Sequence, residues 1–135
     1  MNYKEIDYFI INNYDSFYHT RESDVHIDSN TLFIKQMYEH YLMDYNAYKK
    51  VLKRELSIMK KAPLYLSKEL IFLRLDLLEE TLFLNFRELY IINYHSRKLD
   101  IVFKDGSAIT KPVTHYVYKN ALIKCMRIVK YLDTI

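Results

Sequence analysis

A chain of 135 residues has room for one domain and one core. Half the residues are hydrophobic, but Gly occurs once and Pro twice, which argues against turn-rich sandwiches and barrels and for helices with short connections. The net charge of +3 conceals alternation, with −4, +4, −2 and +5 along residues 1–30, 31–62, 63–93 and 94–135, which fits either a basic face or helices that attract one another.

The single Cys125 excludes a disulfide framework and any multi-cysteine zinc site. No apolar run approaches the roughly 20 residues needed to cross a bilayer, and the start Met1-Asn2-Tyr3-Lys4-Glu5 lacks a signal-peptide layout. A cytoplasmic protein with no membrane contact is expected. The many Tyr, Ile, Asn and Lys residues fit an AT-rich genome of viral, phage or low-GC bacterial type.

In chain order, Ile6, Ile10, Tyr14 and Phe17 recur at helical spacing and predict a helix over 4–18. Residues 19–30 lack a period and read as a connector, with Asp28, Ser29 or Asn30 available as a cap. Ile34, Tyr38, Tyr41, Tyr45, Tyr48, Leu52 and Met59 trace a heptad-like stripe and predict one long helix over 31–61. Lys49, Lys50, Lys53, Arg54, Lys60 and Lys61 crowd its second half, where cations suit the helix dipole. Ala62-Pro63 ends it. Ser67 would cap a helix over 68–84, apolar around most of its circumference, and Asn85-Phe86-Arg87-Glu88 reads as a capping box for a helix over 86–96. Thr110 would cap a last helix over 111–132 that carries Val113, Val117, Ala121, Ile128 and Leu132 on one side. Between these two, residues 99–106 form either a short helix stopped by Gly106 or one side of a β-hairpin turning at Asp105-Gly106. The expected fold is one all-α domain of five to six helices over 1–135, with a β-hairpin at 99–110 as the competing local reading.

Chemistry is mostly excluded. One glycine permits neither a P-loop nor a dinucleotide fingerprint. His19, His26, His40, His95 and His115 never stand at the i, i+4 spacing of a helical metal pair. Cys125 reads as a core thiol rather than a nucleophile, and Asp76, Glu79 and Glu80 as a solvated edge. No enzyme, metal or cofactor is expected.

One arrangement has a binding mechanism attached. A helix-turn-helix needs a support helix, a tight turn and a second helix whose first turns reach base edges, and residues 86–132 can be read that way. The second helix would present Lys111, Thr114, His115, Tyr118 and Lys119 to bases and phosphates, with Lys104, Lys124 and Arg127 on phosphate. Through Arg87-Glu88-Leu89-Tyr90-Ile91-Ile92-Asn93-Tyr94, Ile109-Thr110 and Ala121-Leu122-Ile123-Lys124, this segment resembles region four of sigma factors and phage late-transcription regulators of the ArpU and RinA type. The resemblance spans about 45 residues and implies a DNA-binding transcriptional regulator of phage or mobile-element type, acting on double-stranded DNA. A helical adaptor or inhibitor that docks on another protein is the alternative. The leucines of 70–84 and the tyrosines of 34–52 exceed what a helical monomer comfortably buries, so a homodimer is expected.

Overall fold

Leu70-Ile71-Phe72-Leu73, expected inside a helix, runs through a β-strand and is buried on both sides, each residue being 0% exposed. The computed structural model describes residues 1–134. It shows an α+β fold, so the all-α expectation is wrong. Among the described residues there are nine strands, β1 (Ile6–Ile11), β2 (Phe17–Thr20), β3 (Asp24–His26), β4 (Leu64–Ser67), β5 (Leu70–Asp76), β6 (Thr81–Asn85), β7 (Leu89–His95), β8 (Lys98–Phe103) and β9 (Ala108–Pro112). The helices are α1 (Asn30–His40), α2 (Tyr45–Val51) and α3 (His115–Asp133).

Three antiparallel meanders make up the molecule. β1 to β3 and β4 to β6 join edge to edge through β1 and β6 into a six-stranded sheet of order β3-β2-β1-β6-β5-β4; β7, β8 and β9 form a separate three-stranded sheet. The helical segment α1–α2 connects the first two meanders, and α3 closes the chain against β5. Successive side chains of a strand point to opposite faces, and β1 shows both coverings. Phe9 meets Phe33 of α1 with ring centroids 5.1 Å apart, whereas Tyr8 stacks on Phe103 of the second sheet at 5.7 Å.

Strands covered on both faces read as continuous apolar runs rather than alternating ones. That is why the periodicity over 68–84 imitated a buried helix. The scarcity of glycine misled for a different reason. The β7–β8 turn places Ser96 and Arg97 at φ 49° and 59°, positive values at both central positions of a two-residue hairpin, for which Asn-Gly is the usual sequence. The β4–β5 hairpin turns through Lys68 and Glu69, again without glycine.

The other expectations resolve locally. Residues 4–18 hold a 3₁₀ turn (Tyr3–Glu5), β1 and the start of β2. The expected long helix is broken at residues 41–44, where Leu42 has φ 53° and Asp44 caps a new helix by accepting from Ala47 N at 3.0 Å. Ser29 does cap α1, accepting from Leu32 N at 3.2 Å. Ser67 ends β4 and turns its hydroxyl to Glu69 N. The Asn85 amide is buried and donates to Ile6 O at 2.9 Å instead of capping a helix. Residues 86–96 hold a 3₁₀ turn (Phe86–Glu88) and β7, and the hairpin reading of 99–110 is the one observed. Thr114, not Thr110, caps α3, and Pro112 ends β9. No helix-turn-helix exists at 86–132, because its support helix is strand β7.

The tyrosine and leucine stripes are consumed inside one chain: Tyr38, Tyr48, Leu52 and the leucines of β5 and β6 all lie in the core. Tyr45 and Leu78, from the same two segments, remain exposed at 37% and 99%. Cys125 is fully buried, and burial pushes its thiol up to about 12, as a core thiol requires. Among the described residues, no helix is long and apolar enough to cross a membrane.

Candidate nucleic-acid interface

The lysines of the broken long helix converge with α3. On α2 and the π-helical turn after it (Leu52–Leu56), Tyr48 and Leu52 stand four apart and point into the core, so Lys49, Lys50 and Lys53 face solvent. Tyr48 fixes the distance to the following loop, its hydroxyl donating to Pro63 O at 2.7 Å. Ser57 then enters the left-handed region at φ 56°, Ile58 anchors in the core with 5% exposure, and Lys60 and Lys61 are left outward.

Two α3 cations clamp this loop. Arg127 donates to Leu56 O at 2.8 Å and Lys124 to Lys60 O at 3.2 Å. The last carbonyls of a helical turn lack internal partners and attract positive charge, which favours the Arg127 contact to Leu56 O. The result is a pair of adjoining depressions of about 370 and 230 Å³ that share Lys61 and Arg74. Tyr45 borders the first, with Lys49 Nζ 5.3 Å from its ring centre; Tyr116 and Asn120 border the second.

Charge distinguishes the place. Lys49, Lys50, Lys53, Lys60, Lys61, Arg74 and Lys124 line it, against the single carboxylate of Asp76. Asp76 already pairs with Arg74 at 3.1 Å. Every carboxylate in an ion pair among the described residues is engaged by some other cation, so the six lysines stand unneutralised. A groove with this density of ammonium groups lacking a carboxylate partner attracts polyanions, and phosphate backbones above all.

The residues expected at the interface scatter. Lys124 lines the groove, and Arg127 supports it through Leu56. Lys104 sits in the β8–β9 turn, its backbone N–H donating to Glu88 O at 2.9 Å. Lys111, on β9, is spent on Glu80 at 2.9 Å. Thr114 uses its hydroxyl to accept from Val117 N, and His115 leans on Tyr94 with centroids 5.2 Å apart. Tyr118 is half-buried, and Lys119 is exposed on α3. Lys111 and Thr114 line a separate depression with Glu80, His115 and Tyr118 share the ring of Tyr94, and none of the six lines the lysine groove. The lysines of 49–61 were missed as ligands because their crowding has a local explanation in the helix dipole; only the fold places Arg74 and Lys124 opposite them.

No protein-family model, curated protein or solved structure matches this chain.

Proposed function

We propose that this protein binds nucleic acid, with double-stranded DNA the expected partner, by seating a phosphate backbone in the groove between α2 and α3. The observation that carries this reading is the set of six lysines, none in an ion pair among the described residues, around two adjoining depressions. Such contacts orient a protein on its ligand without reading sequence. A transcriptional regulator, the role implied by the resemblance, needs base contacts as well, and Asn120 and Tyr116, which border the second depression, are the side chains that would make them. Fluorescence anisotropy on random duplex DNA at about 50 mM salt tests the proposal, since counterion release favours binding there. Absence of binding under that condition refutes it.

A protein partner is supported by a different observation. Tyr116, Ile123 and Met126 are 75%, 45% and 56% exposed along one stripe of α3, with the spacing of a helix-packing seam. A homodimer through this stripe is the form that reading takes. Light scattering at high micromolar concentration distinguishes it, and a monomer mass there excludes it.

A further inference from the structure

A second constellation lies where the two sheets meet, and the lysine groove makes no use of it. His19 and Asp24 are register partners across the β2–β3 hairpin, and His19 Nδ1 lies 2.5 Å from Asp24 Oδ1. From the second sheet, Ser107, just before β9, brings its Oγ to 3.1 Å from the other ring nitrogen, Nε2. The His19 ring stacks on Tyr8 of β1, with centroids 4.9 Å and planes 16° apart, and Tyr8 stacks in turn on Phe103 of β8. The imidazole is therefore held at both nitrogens and on one face.

A carboxylate only accepts hydrogen bonds, so Nδ1 carries the ring proton and Nε2 is left to accept from the Ser107 hydroxyl. Hydroxyl, imidazole and carboxylate in that order are the nucleophile, general base and orienting group of acyl transfer, an arrangement defined by geometry and not by chain order. A backbone donor stands beside the nucleophile. Phe103 N donates to Ser107 O at 2.8 Å, so the next pair of the ladder, Val102 and Ala108, is a non-bonded one. The Ala108 N–H therefore points off β9, the outer strand of its sheet, towards which an oxyanion formed at Ser107 can turn. His19 and Ser107 are half-buried, within reach of a small substrate. A cleft of about 460 Å³ adjoins them through Thr20, which follows His19, and through Asp105, whose carboxylate accepts from Ser107 N at 2.8 Å. Glu22 and Glu88 on the same cleft disfavour an anionic substrate.

We propose that Ser107, His19 and Asp24 form an acyl-transfer site that hydrolyses a small, uncharged carboxylic ester. Ser107 Oγ bonds to the ester carbonyl carbon while its proton passes to His19 Nε2. The bond from that carbon to the alcohol oxygen then breaks, and the alcohol leaves with the proton from Nε2. Water adds to the acylated Ser107 by the same route, releasing the acid and restoring the hydroxyl. Asp24 is a positioning residue, holding the imidazole in the tautomer that accepts from Ser107. The site does not depend on nucleic-acid binding.

Hydrolysis of p-nitrophenyl acetate by the full chain, with peptide mapping after reaction with an alkyl fluorophosphonate, tests the proposal. The folded protein should exceed free imidazole at equal concentration, and the phosphonate should be found on Ser107. Ser107→Ala removes one oxygen, so it should keep the fold by circular dichroism while losing both the label and the hydrolysis. His19→Gln should slow hydrolysis at least about hundredfold. Asp24→Asn should lower kcat at least about tenfold with KM unchanged, and Asp24→Glu should restore part of the loss. Lys60→Ala, in the lysine groove, should hydrolyse at the parent rate. Hydrolysis no faster than with free imidazole overturns the proposal. So does a phosphonate on another residue, or a folded Ser107→Ala that works at the parent rate.

Discussion

The ring of Tyr118 lies almost parallel to that of Tyr94, with planes 7° apart and centroids separated by 5.9 Å, so a side chain of α3 is stacked on strand β7. Burial raises the Tyr118 hydroxyl above its ordinary value, in keeping with a packed rather than a reading side chain. Tyr118→Ala removes this stack and half-buried apolar area, and should destabilise the protein by about 2 kcal/mol in urea unfolding. DNA affinity measured well below the transition should hardly change. Unchanged stability with a selective loss of affinity would return Tyr118 to a base-reading role.

The lysine groove makes its own demand on binding data. Lys60→Ala and Lys61→Ala should each weaken binding to all duplex sequences alike and flatten the slope of log affinity against log salt by about one unit. Lys104→Ala and Lys119→Ala, outside the groove, should leave that slope as it is. If the two pairs respond equally, the groove is not the interface.

Arg127 tests support rather than contact. Its guanidinium reaches Leu56 O at 2.8 Å and holds the loop of 57–62 to α3. Arg127→Ala should cost about 1 kcal/mol of stability and speed hydrogen exchange in that loop. Lys119→Ala, on the same helix and exposed, should do neither. Identical exchange in both variants would show that the clamp does not order the loop.

Asp7 ties stability to pH in a set direction. Its folded-state value of about 8 lies above the unfolded 3.8, so between those values the folded chain keeps a proton that the unfolded chain has lost. The stabilisation is fully present below about pH 4, declines as pH rises, and is gone above about pH 8. The slope across that window is at most about 1.4 kcal/mol per pH unit. Asp7→Asn should remove this component and leave the variant more stable than the parent at pH 8. Parallel stability curves for the two proteins from pH 5 to 8 would contradict it.

The β7–β8 turn holds Ser96 and Arg97 in the left-handed region, where side chains other than those of Gly and Asn are disfavoured. Replacing the pair by Asn-Gly supplies the residues this turn favours. The double variant should gain about 1 kcal/mol in chemical unfolding, and an equal loss would mean that the Arg97 side chain makes a contact worth more than the backbone strain.

By itself the sequence determined those features whose cause is local. Ser29 caps the helix beside it because a hydroxyl reaches an amide three residues on. The last helix forms because Ala121, Cys125 and Ile128 recur on one side of it. The hairpin at Asp105-Gly106, where Gly106 reaches φ 93° without a Cβ clash, was one of two readings the sequence left open. What only the tertiary structure decided is whether an unbroken apolar run becomes helix or strand. Leu70 to Leu73 satisfy either, and the choice follows from having helices against one face of the central strands and a second sheet against the other. The same holds for the groove. Lys61 and Lys124 line one depression across a separation in the chain that no local period encodes, because their proximity is created by helix docking on the sheet.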